Sequence, residues 1–287
     1  MFGGSRRPPG FYRRELPLAH SFESGEHDAG PVLSNFLKLT HVVALIASMA
    51  TTSCGGESNP ESAPGSLTLA PLPAGDRVLF VGNSLTEGND LPLIVEALAR
   101  AGGRPFAVEA VTYAGAALED HWSRGTQDRI AASGFRFVVL QQGPSALAES
   151  RANLREWTRR FDAVIRKAGG RTALYMVWPE SYRPQAFPEV STSYRLAAED
   201  VLGILLPAGD AWVAAWREDR GLRLYGPDGF HPSLLGSYLA ALAIYGGLSG
   251  ASPVGLPARV QLRNGRWVEV SAREAALAQA AAAEALR

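Results

Sequence analysis

From residue 76 onward, short apolar segments alternate with longer segments of helical periodicity, and this alternation restricts the fold more than any other feature of the chain. A short apolar run bounded by turn residues is typical of a buried strand. Strands that alternate with helices pair in parallel through right-handed crossovers. We therefore predict an α/β fold, a three-layer α/β/α sandwich around a parallel sheet of about five strands. The strand candidates are 78–81, 106–113, 135–141, 172–178 and 204–209, and the helix candidates are 91–101, 116–132, 146–168, 191–203 and 233–248.

The charge and cysteine content argue against several classes of function. The 28 Lys and Arg residues balance the 28 Asp and Glu residues, and no basic stripe with interleaved aromatic residues indicates a nucleic-acid partner. The single cysteine, Cys54, cannot form a disulfide within the chain. The residues after it contain no HExxH motif, Asp-rich calcium loop or His pair, and the Gly-Gly pairs at 102–103 and 169–170 lack the spacing of nucleotide-binding loops. We therefore expect neither a metal nor a cofactor.

The N-terminal segment has the pattern of an export signal. Residues 1–31 are polar and rich in Pro and Gly, which favours either disorder or a translation start further downstream. Lys38 and His41 then precede an apolar run at 42–50 and the small residues before Cys54, as in a secretory signal peptide. This run is too short to span a bilayer, which takes about 20 residues.

The residues before Cys54 resemble a bacterial lipobox, although Thr51 stands where that pattern prefers Leu. We expect acyl chains on Cys54 to anchor the exported protein in the cell envelope, which would be its only membrane contact. The alternative is an ordinary signal peptide followed by an incidental cysteine. The predicted layout is an N-terminal extension and signal peptide (1–53), a flexible linker (54–75), a folded domain (76–250), and a C-terminal hairpin and helix packed on that domain (251–287).

A serine lies where the first predicted strand gives way to the first predicted helix, in the sequence Gly82-Asn83-Ser84. This junction lies at the carboxyl edge of the predicted sheet, where open α/β folds bind their ligands. Backbone N–H groups of the turn can face a developing negative charge there. We predict that Ser84 is a nucleophile; the alternative is a common Gly-x-Ser turn that only ends a strand.

A serine nucleophile needs a general base, and the histidines supply the candidates. Three of the five histidines precede Cys54 and would be removed with the signal peptide. Of the other two, His121 lies inside a predicted helix, and a surface or core position explains it. His231 follows Asp228 by three residues in a Gly/Pro-rich loop, so that the carboxylate can hold one ring nitrogen and leave the other for Ser84. The alternative is that Asp228 starts a turn and the residues after it cap a helix.

These residues resemble the SGNH/GDSL hydrolases over about residues 76–250. Gly82-Asn-Ser84-Leu is similar to the first block of that family, which holds the nucleophile, and Asp228-Gly-Phe-His231 is similar to its last block. Gly115 falls where the family has a glycine whose N–H binds the oxyanion. The resemblance implies a flavodoxin-like sandwich that hydrolyses esters through an acyl-enzyme, with the N–H groups of Ser84 and Gly115 as oxyanion donors.

The third block departs from the family pattern Gly-x-Asn-Asp, whose asparagine is the remaining oxyanion donor. Here the chain reads Gln141-Gln142-Gly-Pro-Ser145, so that Ser145 stands at the asparagine position. Gln142-Gly-Pro-Ser145 is also similar to the Gln-Gly-Glu-Ser stretch of carbohydrate acetylesterases in this superfamily, in which a glutamine serves as donor. We expect Gln142 to be the third donor and Ser145 to be the second choice. The alternative is that both glutamines merely end a strand.

Further predictions concern the substrate cleft. Trp178 and Glu180 follow a predicted strand at the same sheet edge as Ser84, and they either wall the cleft or pack beside it. Asn83 is a further cleft candidate and also a candidate for orienting the turn. The expected substrate is a small acyl ester, such as an acetyl ester on a carbohydrate. The competing hypotheses are a lipase or thioesterase and a non-catalytic glycan-binding envelope lipoprotein.

Overall fold

The computed structural model describes Leu72 and residues 74–287. The predicted signal peptide, the acylation site at Cys54 and nearly all of the linker lie outside the described residues, so these features stay predictions. Among the residues that are described, no helix is both long enough and apolar enough to cross a membrane.

Five parallel strands form the central sheet in the order β2-β1-β3-β4-β5. They are β1 (Asp76–Gly82), β2 (Phe106–Thr112), β3 (Phe137–Leu140), β4 (Arg171–Tyr175) and β5 (Ile204–Leu206). This order is that of flavodoxin-like doubly wound sheets, whose switch point lies between β1 and β3. The four apolar residues from Val78 are completely buried, since helices cover both faces of the sheet. The predicted fold class is confirmed.

Nine helices occur in the described part of the chain, and they pack as two layers. They are α1 (Ser84–Glu87), α2 (Leu91–Ala101), α3 (Leu118–Ser123), α4 (Thr126–Ser133), α5 (Ala148–Lys167), α6 (Phe187–Asp200), α7 (Ala208–Glu218), α8 (Leu234–Ser249) and α9 (Ala272–Ala285), with 3₁₀ turns at Gly88–Asp90 and Pro184–Ala186. Helices α3 to α6 contact one another, and α2 packs with α7, α8 and α9 through α8.

Two helix predictions need correction. The segment predicted as one helix over 116–132 is the pair α3 and α4, because Gly125 between them has a φ of 80° and interrupts the helical path. Residues 204–209 were expected to contain the fifth strand, and β5 occupies the first three of them. Helix α7, which begins directly after Pro207, was not predicted. A Cβ on Gly209 would lie 2.3 Å from the Val177 carbonyl oxygen, so only glycine permits this close approach to the sheet.

The C-terminal residues form the predicted hairpin and helix. Strands β6 (Arg259–Gln261) and β7 (Trp267–Glu269) pair antiparallel, and α9 begins with a reciprocal capping box between Ser271 and Glu274. Helix α9 packs on α7 and α8. The hairpin turn also contacts the N-terminal end of α2, where the Asn264 side chain donates a 3.0 Å hydrogen bond to Asp90.

Candidate active site

The turn after β1 leaves no room for a side chain at Gly82. A Cβ there would lie 2.3 Å from the Thr86 hydroxyl oxygen and 2.4 Å from Gln141 Oε1. Asn83 is extended, and its side-chain oxygen accepts the Leu85 N–H as the N-cap of α1. Ser84 is therefore the first residue of a helix at the carboxyl end of a central strand. Its side chain is partly exposed at the sheet edge, as the sequence predicted.

Gln141 holds this turn, a role that its sequence context did not indicate. The side chain is completely buried and uses all of its hydrogen-bonding capacity. Its oxygen accepts from the Asn83 N–H at 2.9 Å and the Thr86 hydroxyl at 2.7 Å. Its NH₂ group donates to Asn83 Oδ1 at 3.0 Å and to the Gln142 carbonyl at 2.5 Å. The only signal in the sequence was a pair of amides at the end of a buried strand.

Asn83 does not line a cleft, so that prediction is wrong. Only 5% of the residue is exposed, and its side-chain NH₂ donates to the Ala116 carbonyl at 3.0 Å. The same side chain caps α1 and contacts Gln141, so Asn83 connects the Ser84 turn to the loop that contains Gly115. Its alternative role, orienting the turn, agrees with these contacts.

The structure brings Ser84, His231 and Asp228 together. Ser84 Oγ lies 2.9 Å from His231 Nε2, and His231 Nδ1 lies 2.5 Å from Asp228 Oδ2. The other carboxylate oxygen accepts the N–H groups of Phe230 and His231, both at 3.0 Å. The hydrogen bond from the His231 ring and these two backbone bonds lower the pKa of Asp228 to about 2. Asp228 is thus ionised at neutral pH and can hold the ring with Nδ1 protonated, leaving Nε2 to accept a proton.

Trp178 is completely buried and does not wall a cleft, so that prediction is also wrong. Its ring stacks on Trp212 with centroids 3.6 Å apart, and its Nε1–H donates to the Phe230 carbonyl at 3.0 Å. Trp178 therefore supports, from the core, the loop that carries His231. The Ser181 N–H adds a 2.8 Å hydrogen bond to the Gly229 carbonyl of the same loop.

Glu180 stays a candidate for contacting substrate. Its side chain is 24% exposed and lies 3.6 Å from the Arg183 guanidinium. Oxygen Oε2 of Glu180 is itself buried and accepts no hydrogen bond from the described residues. The next residue, Ser181, is bonded to the loop of His231, which places Glu180 beside that loop.

Two of the predicted oxyanion donors have free backbone N–H groups. Ser84 is the first residue of α1, so its N–H has no acceptor within the helix. Gly115 is exposed, with a φ of 69° that favours glycine, and no acceptor for its N–H occurs in the part of the chain described. The hydrogen bond from the Asn83 side chain to the Ala116 carbonyl connects the Ser84 turn to the loop that contains Gly115.

The contacts of Gln142 and Ser145 bear on the third donor. Gln142 Oε1 accepts the Leu118 N–H at 3.1 Å, which directs the side-chain NH₂ to Ser145 Oγ at 3.0 Å. The Ser145 hydroxyl donates in turn to the Gly143 carbonyl at 3.1 Å. The hydroxyl proton is thereby used, whereas one of the two Gln142 amide protons is left over. This arrangement favours Gln142 over Ser145, in the order that the sequence suggested.

His121 lies in the core and has no hydrogen bond to Ser84 or His231 among the described residues. Its Nε2–H donates to the Gly82 carbonyl at 2.9 Å, and burial lowers the pKa of the ring. The imidazole is therefore neutral at physiological pH and supports the end of β1. Within residues 74–287, no group of three or more His, Cys, Asp and Glu side chains is arranged to hold a metal ion.

Comparison with known proteins agrees with the fold. No protein-family model and no curated protein matches the chain. Among solved structures, a DUF4886 family protein from Bacteroides uniformis is 18% identical with a TM-score of 0.63, over 74% of this chain and 95% of that one. A protein from Slackia heliotrinireducens assigned as an SGNH hydrolase is 26% identical with a TM-score of 0.51, over 61% of this chain and 100% of that one.

Proposed function

Because this chain has the fold of the SGNH/GDSL hydrolase superfamily, as its resemblance in sequence predicted, we propose that it is a serine esterase. The observation that carries the proposal is the continuous series of hydrogen bonds from Ser84 through His231 to Asp228. Ser84 lies near the start of the domain sequence, and Asp228 and His231 lie near its end. A packing accident would not be expected to place a hydroxyl, an imidazole and a carboxylate in this order.

The proposed reaction has two halves. Ser84 Oγ attacks the ester carbonyl while His231 Nε2 takes its proton, and Asp228 stabilises the resulting imidazolium. The carbonyl oxygen becomes an oxyanion that accepts hydrogen bonds from the N–H groups of Ser84 and Gly115 and from the Gln142 amide. His231 then protonates the leaving alkoxide, which departs as the alcohol. Water, deprotonated by His231, releases the acid from the acyl-enzyme and restores the Ser84 hydroxyl.

The proposed substrate is a small acyl ester, in particular an acetyl ester on a carbohydrate. The Gln142-Gly-Pro-Ser145 stretch and its similarity to carbohydrate acetylesterases support this class. The proposed location is the cell envelope, with the protein exported and anchored through Cys54, which the lipobox-like sequence supports. Metabolic labelling with palmitate tests the anchor: wild type should be labelled and Cys54→Ala should not.

The direct test of the esterase is labelling with a fluorophosphonate probe. Wild type should be labelled, and Ser84→Ala should lose both labelling and hydrolysis of 4-nitrophenyl acetate, by about 10⁶-fold in kcat. The matched control is Ser123→Ala, which removes an exposed hydroxyl on α3 that bonds only to the Glu119 carbonyl. Full labelling of Ser84→Ala would contradict the assignment. A series of longer acyl chains distinguishes a lipase or thioesterase, whose activity should rise with chain length.

The altered third block favours a second candidate, a glycan-binding envelope lipoprotein without catalysis. One of the two protons of its Gln142 amide is already donated to Ser145. Wild-type protein that resists the probe but binds oligosaccharide would support this candidate and exclude the esterase.

A further inference from the structure

Two cavities adjoin the loop of residues 225–233, which carries Asp228 and His231. One has a volume of about 430 Å³ and is lined in part by Phe187, Arg217 and Arg220. The other has a volume of about 660 Å³ and is lined in part by Arg223, Pro227 and Pro232. Trp216 and Tyr225 line both cavities, so the pair of rings lies between them. Neither cavity is part of the hydrogen-bonded series described above.

The rings offer apolar faces whose polar atoms are already satisfied. Trp216 and Tyr225 stack with centroids 5.7 Å apart and an interplanar angle of 28°. The Trp216 Nε1–H donates to the Leu222 carbonyl at 2.9 Å, and the Tyr225 hydroxyl donates to the Pro179 carbonyl at 2.6 Å. Both residues are partly exposed. Aromatic faces carry partial negative charge and attract the C–H groups on the flat side of a sugar ring.

The lining of the two cavities is positively charged; of the carboxylates around it, Glu180 lies near Tyr225, whose pKa is raised by burial and by that charge. Arg217, Arg220 and Arg223 line them, and no Asp or Glu does. Arg217 pairs with Glu284 at 2.6 Å. Arg220 and Arg223 form no side-chain hydrogen bond, ion pair or cation–π contact with the described residues. The nearby Asp219 carboxylate is turned to Arg273, at 2.7 Å.

A guanidinium group binds carboxylates through paired hydrogen bonds, and it binds neutral sugars less strongly. We propose that these two cavities bind a carboxylate-bearing sugar of the substrate, so that the esterified carbohydrate is an acidic, uronic acid-containing glycan. This inference rests on the proposed esterase function. The sugar ring packs on Trp216 and Tyr225, and its carboxylate meets Arg220 or Arg223. The ligand then lies against the loop that carries His231.

The first test measures binding to the inactive Ser84→Ala protein by calorimetry, with tetragalacturonate as the acidic probe and cellotetraose as the neutral one. Tetragalacturonate should bind more tightly, and its affinity should fall as salt is added. Adding Arg220→Gln and Arg223→Gln should weaken its binding by about tenfold or more. The matched control is Arg104→Gln with Arg171→Gln, two exposed arginines that also lack an ion pair among the described residues.

The second test measures catalysis in the otherwise wild-type protein. Arg220→Gln with Arg223→Gln should raise KM for acetylated oligogalacturonate and leave hydrolysis of 4-nitrophenyl acetate unchanged, because that ester has no carboxylate. The control pair should change neither value.

The outcomes separate this inference from the esterase proposal. Equal affinity for the two tetrasaccharides, or an equal loss of affinity in the control pair, overturns the acidic-glycan site while 4-nitrophenyl acetate hydrolysis still supports an esterase. Arginine-dependent binding to phosphatidylglycerol vesicles without binding to tetragalacturonate also overturns it, in favour of a lipid surface. Arginine-dependent glycan binding by a protein that hydrolyses no ester overturns the esterase instead.

Discussion

The turn that carries Ser84 and the loop that carries His231 meet at one hydrogen bond, but different interactions hold them. Around Ser84, the supporting groups are buried side chains, with Gln141 and Asn83 at 0% and 5% exposure. Around His231, the side chains of the pair are open to solvent, at 44% for His231 and 51% for Asp228. Backbone hydrogen bonds and the buried Trp178 hold that loop instead.

This difference indicates how each side tolerates change. A buried amide network whose donors and acceptors are all used cannot exchange a partner without leaving a polar atom unpaired. In an exposed pair, water can solvate the remaining side chain when its partner is substituted. Such a substitution therefore affects catalysis more than the stability of the fold. Substitutions on the two sides of the Ser84–His231 hydrogen bond test this contrast.

Asp228→Asn should reduce kcat by about 10³–10⁴-fold with little change in thermal stability, because the amide no longer favours the required imidazole tautomer. The Asp228 carboxylate has its pKa lowered to about 2, so its contribution to stability is complete above the ordinary value of 3.8 and is lost as pH falls through about 2. Titration of Asp228 should therefore not produce the acidic limb of the wild-type pH–rate profile. A large loss of stability in Asp228→Asn would contradict the contrast between the two regions.

Gln142→Ala should lower kcat by about 10²–10³-fold with KM nearly unchanged, as expected for an oxyanion donor. Ser145→Ala should have a smaller effect, because the hydroxyl proton is used by Gly143. Steady-state kinetics on 4-nitrophenyl acetate measure both. The reverse order of effects would assign the third donor to Ser145.

Gln141→Glu should lower kcat by about 10²-fold at neutral pH through displacement of Ser84. The new carboxylate would face two acceptors, Asn83 Oδ1 and the Gln142 carbonyl, where the amide now donates. Protonation at lower pH restores one donor, so the activity of the variant relative to wild type should rise as pH falls. A merely destabilised protein would not show this pH dependence.

The matched control for that variant is Gln279→Glu. Gln279, on α9, is also a buried glutamine, and its amide donates to the Leu256 carbonyl at 2.6 Å rather than to the Ser84 turn. This variant should lose stability but keep the wild-type pH–rate profile. If both variants behave alike, Gln141 supports the fold without positioning Ser84.

The smallest expected effect concerns His121, whose pKa is lowered by burial. Below its ordinary value of 6.5, the unfolded chain gains a proton that the folded protein resists, so the free energy of unfolding should fall as pH decreases through that value. His121→Gln keeps a donor for the Gly82 carbonyl and should remove this part of the pH dependence. Urea unfolding at about pH 8 and about pH 5 measures it. An unchanged difference between the two pH values would show that other groups cause the dependence.

The comparison also shows which parts of the site could be predicted. Ser84 and the Asp228–His231 pair were found because each lies in a short motif whose chemistry depends on neighbours in the chain. Gln141 was missed because its partners lie 55 and 58 residues away. Trp178 was misplaced because a residue after a strand end can point into a cleft or into the core. Helix α7 was missed because its start depends on a three-residue strand and on close packing at Gly209.

The amino-acid sequence alone determined the α/β fold class and the candidate nucleophile, base and carboxylate, because apolar periodicity and local motifs are properties of neighbouring residues. The three-dimensional packing brings Ser84 and His231 together, although 147 residues separate them. It also decided that Gln141, rather than a residue of the motif itself, holds the turn. The physical reason is that hydrogen bonding between buried groups depends on how distant strands and loops pack, which no local pattern encodes.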